Sequence, residues 1–193
     1  MIRLKDKPFG VLANFDPKSS IILAVDCQNG FTERCPNELP VKGTTEVWIS
    51  SVNFFLSKAK EKGFKIIASK DEHPEDHMSF GLWPKHCVKG TYGCELFIKD
   101  YDFVVKKGTK KEADSYSPYY VDGENETYLN QLLKDNDIKH VIIIGLAGDF
   151  CVKAAIEDTI KFGYTPVVIG DFIKLVDENK SMNDIIKEIE EEE

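Results

Sequence analysis

Val141-Ile-Ile-Ile-Gly-Leu-Ala-Gly-Asp-Phe-Cys151 passes from an uninterrupted β-branched run, through a turn holding two glycines, into a helix-spaced stretch that stops at Gly163. Four apolar residues without alternation suit a strand covered on both faces, and the spacing from Phe150 to Phe162 suits a helix. The same unit recurs outward in both directions. Further strand-like runs are Ile21-Ile-Leu-Ala-Val25, Phe64-Lys-Ile-Ile-Ala68, Phe103-Val-Val105 and Pro166-Val-Val-Ile169. Helical spacing covers Val47 to Lys62, stopping at Gly63, and Glu124 to Asp135. Strands alternating with helices predict an α/β fold: a three-layer α/β/α arrangement on a central, mainly parallel sheet. Residues 1–193 read as a single domain, with no internal repeat and no linker. The last segment, Met182 to Glu193, reads as a short amphipathic helix running into an acidic end.

Composition narrows the function classes. The 193 residues carry 25 Lys and Arg against 33 Asp and Glu, a formal charge of −8. That balance argues against nucleic acid or an anionic membrane as partner. Without Glu188 and Glu190 to Glu193 the charge is −3, so the body is only mildly acidic. No apolar run approaches the roughly 20 residues that span a bilayer, and MIRLKDKPFG lacks the apolar segment of a signal peptide. Five cysteines without a CxxC pair do not make a disulfide framework. The expectation is a soluble, cytoplasmic protein of a reducing compartment, with a homo-oligomer left open; composition names no function.

In open α/β sheets, ligands bind beyond the carboxyl ends of the strands. Those ends carry Asp26, Asp71, the pair Lys106 and Lys107, and Cys151. With Asp149 as helix N-cap, Cys151 would lie in a first helical turn, where free N–H groups and a nearby lysine stabilise a thiolate. Cys27, Cys35, Cys87 and Cys94 lack such surroundings and read as packing. The stretch Asp71 to Phe97 is too long for a plain connection and holds three of the four histidines: His73, His77 and His86. Asp71 and His73 share one side of an extended segment, and His86 completes a set of one carboxylate and two imidazoles able to hold a divalent ion. His77 is either a further ligand or a residue behind the ligands. A chance loop of idle histidines is the plain alternative.

Four segments, in order, resemble the nicotinamidase branch of the isochorismatase-like cysteine hydrolases. Ala24-Val-Asp-Cys-Gln-Asn-Gly-Phe31 is similar to VDxQNDF. Lys70-Asp-Glu-His-Pro-Glu-Asp-His-Met-Ser-Phe80 with Trp83-Pro-Lys-His-Cys-Val-Lys-Gly-Thr91 resembles the metal-holding loop. Lys107-Gly108 with Asp114-Ser-Tyr-Ser117 resembles the catalytic lysine segment, and Gly145-Leu-Ala-Gly-Asp-Phe-Cys-Val152 resembles GLATDYCV. The resemblance covers about Ile21 to Asp171. Gly30 stands where Asp is usual, Gly148 where Thr is usual and Phe150 where Tyr is common.

The resemblance implies the isochorismatase-like hydrolase fold and a catalytic set of Asp26, Lys107 and Cys151. It implies metal ligands Asp71, His73 and His86, with His77 left open as a fourth, and one divalent ion per chain. It also implies an oxyanion hole from the N–H groups of Ala147 and Cys151, with a cis peptide between Leu146 and Ala147. Zinc, iron and manganese all suit such donors. Phe31, Trp83 and Tyr116 are candidates for holding the substrate ring. The implied reaction is hydrolysis of nicotinamide, with pyrazinamide as a second substrate, to the acid and ammonia through a thioester, a step of NAD salvage. Another small-amide hydrolase of the same fold, or a non-catalytic metal-binding or thiol-redox protein, are the competing readings.

Overall fold

The structure, a computed structural model, describes residues 2–5 and 7–192. Glu193, the end of the last predicted helix, lies outside the described residues. Six strands form one sheet: β1 (Arg3–Lys5), β2 (Ser20–Val25), β3 (Lys65–Asp71), β4 (Phe103–Lys107), β5 (His140–Leu146) and β6 (Thr165–Lys174). Their order is β1-β6-β5-β2-β3-β4, and every neighbouring pair is parallel.

Among the described residues, five α-helices cover the two faces: α1 (Pro8–Asn14), α2 (Glu46–Glu61), α3 (Leu129–Asp135), α4 (Cys151–Lys161) and α5 (Met182–Glu192). Alternate residues of one strand serve opposite layers. On β2, Ile22 and Ala24 pack in one core with Val52 and Phe55 of α2, while Ile21 and Leu23 pack in the other with Val152 and Ile156 of α4. Both faces are dry, so the strand sequence shows no polar alternation. No helix among the described residues is long and apolar enough to cross a membrane.

The structure departs from the sequence expectation at several points. The helix expected from Glu124 starts at Leu129, because the Asp122 carboxylate accepts the N–H groups of Glu124 and Asn125 and holds a turn there. Asp149 does not cap α4. Its carboxylate instead accepts the N–H groups of Val176 and Asp177, at 2.9 and 2.8 Å, while Phe150 occupies the cap position without a side-chain bond. The first strand and helix, β1 and α1, carry no pattern strong enough to be anticipated. β1 is only three residues long and pairs only with β6.

The chain passes from β2 to β3 and β4 on one side of the sheet, then returns to β5 and β6 on the other. The order therefore reverses between β2 and β5, where crevices open at strand carboxyl ends. These two strands approach closely at that point. Gly145, with φ 120°, faces Val25, whose carbonyl occupies the place of a β-carbon.

Candidate active site

The switch point collects the polar strand ends. Asp26 is the first residue beyond β2, with φ 44°, and its side chain is fully buried. Ser69 on β3 donates to its Oδ1 at 2.7 Å and accepts its backbone N–H at 3.1 Å. Lys107 ends β4. Adjacent strand residues face opposite ways, so Lys107 is buried while Lys106 turns outward to Glu72. The Lys107 ammonium lies 2.9 Å from Asp26 Oδ2, 2.6 Å from Asp71 Oδ1 and 3.6 Å from Cys151 Sγ, and donates to the Ser115 carbonyl at 3.0 Å. Carboxylate oxygens of Asp26 and Asp71 and the sulfur of Cys151 lie within 4.8 Å of one another. Asp26 Oδ2, despite the nearby ammonium, has no aligned hydrogen bond and keeps a free lone pair.

Burial dominates the protonation of this cluster. It raises the Asp26 carboxyl above its usual range, against the pull of Lys107. It also pushes the Cys151 thiol well up, and Lys107 only partly offsets this. Burial thus works against the thiolate that the helix terminus was expected to stabilise at Cys151. For Lys107, burial alone favours the neutral amine, but Asp26, Asp71 and Cys151 outweigh it and keep the ammonium charged.

Beside this cluster, Asp71, His73 and His86 are all buried and bring three ligand atoms within 4.8 Å. The hydrogen bonds around them select which atoms are free. His73 Nδ1 is 2.8 Å from the Gly108 carbonyl and His86 Nδ1 is 2.6 Å from the Pro84 carbonyl, so each ring donates there and presents Nε2. Asp71 gives Oδ1 to Lys107 and keeps Oδ2, which lies 3.7 Å from His73 Nε2. Burial holds the His73 pKa down at about 4, so its lone pair is available at neutral pH. This donor set fits a divalent ion. His77 does not join it: its ring stacks on His73 at 4.0 Å, with Nδ1 on Ser79 and Nε2 on the Ala113 carbonyl.

Phe31, Trp83 and Tyr116 line one pocket together with Cys151, Asp71 and His73. Trp83 meets Phe150 edge-on at 5.2 Å and its Nε1 reaches the Tyr116 hydroxyl at 3.4 Å. The Leu146–Ala147 peptide is cis. Among the described residues no backbone acceptor takes the N–H of Ala147 or Cys151, leaving two donors beside the sulfur. Gly148, where Thr is usual, is tightly packed: a β-carbon there would lie 2.8 Å from Leu175. Sequence reasoning missed Ser69, which looks like ordinary strand filling, and Gln28, whose amide bonds both the N–H and the carbonyl of Asp71. Phe150, noted in the sequence as a departure from Tyr, lines the pocket, as does Val176, which carried no signal beyond apolarity.

Fold and cluster together define the class: a doubly wound α/β domain with a cysteine at the sheet's switch point and a carboxylate–imidazole set beside it. The isochorismatase domain family matches residues 20–187, and the chain belongs to that family. It is 31% identical over 174 residues to the nicotinamidase of Escherichia coli (strain K12), covering 78% of this chain and 80% of that one. The pyrazinamidase of Pyrococcus horikoshii in complex with zinc is similar at a TM-score of 0.77 and 31% identity, over 90% of this chain and 95% of that one. PnC1 from L. infantum in complex with nicotinate gives a TM-score of 0.80 at 29% identity, over 91% of this chain and 90% of that one.

Proposed function

We propose that this chain is a nicotinamidase: it hydrolyses nicotinamide to nicotinate and ammonia, with Cys151 as nucleophile, and accepts pyrazinamide as a related substrate. The observation that carries the reading is one pocket holding both a thiol within reach of an ammonium and a buried Asp71–His73–His86 set. A substrate with an amide and a basic ring nitrogen uses both.

Nicotinamide enters between Phe31, Trp83 and Tyr116, which exclude water and hold the ring. The thiol proton of Cys151 passes to the free Oδ2 of Asp26, leaving a thiolate paired with Lys107. The sulfur attacks the amide carbon, and the N–H groups of Ala147 and Cys151 take the oxyanion. Asp26, now a carboxylic acid, gives its proton to the departing nitrogen; the C–N bond breaks and ammonia leaves. A water then loses a proton to Asp26 and attacks the thioester, and nicotinate leaves as the proton returns to the sulfur. Asp71, His73 and His86 would hold one divalent ion, zinc or iron with manganese also suited, whose chemistry is a Lewis-acid site for the ring nitrogen. The reaction belongs to NAD salvage, and the chain's place is the cytoplasm.

Purified protein incubated with nicotinamide, pyrazinamide and a few amides without a ring nitrogen tests this. Ammonia released from the first two, and lost after strong chelation, is the expected result. Release from ring-free amides alone, indifferent to chelation, would overturn it in favour of another amide hydrolase.

A further inference from the structure

Glu38 belongs to none of the motifs that single out the site, yet its carboxylate is built into the loop that presents His86. Its Oε2 accepts the N–H of Cys87 at 2.9 Å. Cys87 directly follows His86 and has a left-handed backbone with φ 48°. For a non-glycine residue that conformation is strained and persists only when the surroundings hold it. Three contacts do so. The Cys87 N–H is taken by Glu38, its carbonyl accepts from His73 N–H at 3.1 Å, and its thiol points to the Gly93 carbonyl at 3.7 Å. One strained residue thus joins the two imidazoles of the site, and Glu38 is its only charged partner among these.

The space for the carboxylate is specific. A β-carbon on either Gly30 or Gly93 would collide with it. The segment carrying Glu38 is drawn over Gly30 by the Leu39 N–H to Gly30 carbonyl bond at 3.1 Å, and next by Val41 N–H to the Phe31 carbonyl at 3.0 Å. The departure at Gly30 therefore leaves the volume that a carboxylate from position 38 fills.

We propose that Glu38 is a positioning residue for the metal-holding set: by fixing the Cys87 N–H it sets the direction in which His86 presents Nε2. This rests on the metal reading above, and its test reads metal binding rather than turnover. Zinc affinity is measured by competition with a chromophoric chelator, and cobalt(II) loading is read by its visible spectrum, in the parent, Glu38→Ala, Glu38→Asp and Glu38→Ala with Gly30→Asp. Both single variants are expected to weaken zinc binding by about 10–100-fold and to change the cobalt bands. Gly30→Asp is expected to recover only part of the loss in the Glu38→Ala background, because a β-carbon there also lies 3.0 Å from Cys87 Sγ and from the Gly93 carbonyl. Glu38→Asp keeps the charge but shortens the reach, and decides the matter if Glu38→Ala does not fold. A folded single variant with parental zinc affinity and an unchanged cobalt spectrum overturns the inference alone. A parent that takes up no zinc overturns the metal reading, and this inference with it.

Discussion

Lys107 and Asp71 are paired across the register of β4 and β3, and their side chains meet in a buried bond of 2.6 Å. The ammonium that faces the Cys151 sulfur is therefore anchored by a carboxylate of the Asp71–His73–His86 set. The two halves of the site are one electrostatic unit. Asp71 divides its oxygens between them, Oδ1 to the lysine and Oδ2 toward His73.

Removing the ammonium should be costly to the fold as well as to the reaction. In Lys107→Ala, Asp26 and Asp71 are left buried and close without a countercharge, a situation worth about 3–5 kcal/mol. Denaturant unfolding of the metal-free protein should show a loss of this size. A loss below about 1 kcal/mol would show that the lysine does not neutralise the pair.

The proposed base sets the acid limb of the pH profile. Burial raises the Asp26 carboxyl, so it binds a proton at a higher pH than an ordinary Asp, and kcat/KM falls as pH drops through that raised value. Ser69 acts in the opposite direction, because its hydrogen bond favours the ionised form. Ser69→Ala should therefore move the acid limb upward, by about one to two pH units for a bond of about 1.5–3 kcal/mol to a charged group. An unmoved or lowered limb would take Asp26 out of the role of base.

The two outer histidines should separate in metal content. His86 keeps Nε2 free, whereas both ring nitrogens of His77 are engaged. His86→Ala should lose stoichiometric zinc by metal analysis, and His77→Ala should retain close to one ion per chain with a less stable loop. Equal loss in both variants would place His77 among the ligands.

Much of this was legible from the chain because the fold is repetitive and its strands are short and dry. The five strand runs from Ile21 onward and the glycine stops after α2 and α4 follow from local pattern alone. Asp26, Lys107 and Cys151 could be found because parallel strands deliver their ends to one edge. What escaped had no local signature. β1 depends on its pairing with β6, Ser69 is a buried strand serine until Asp26 is placed beside it, and Asp149 looks like a cap until residues 176 and 177 compete for it. The environment of Cys151 shows the same limit: sequence shows a helix start and a nearby lysine, but not the burial that pushes the thiol up.

The most direct measurement is nicotinate and ammonia release from nicotinamide by Cys151→Ala beside the parent, both loaded with zinc. The account predicts turnover by the parent, and by the variant a loss of at least about a thousandfold with zinc content unchanged. Turnover by Cys151→Ala comparable to that of the parent would contradict it.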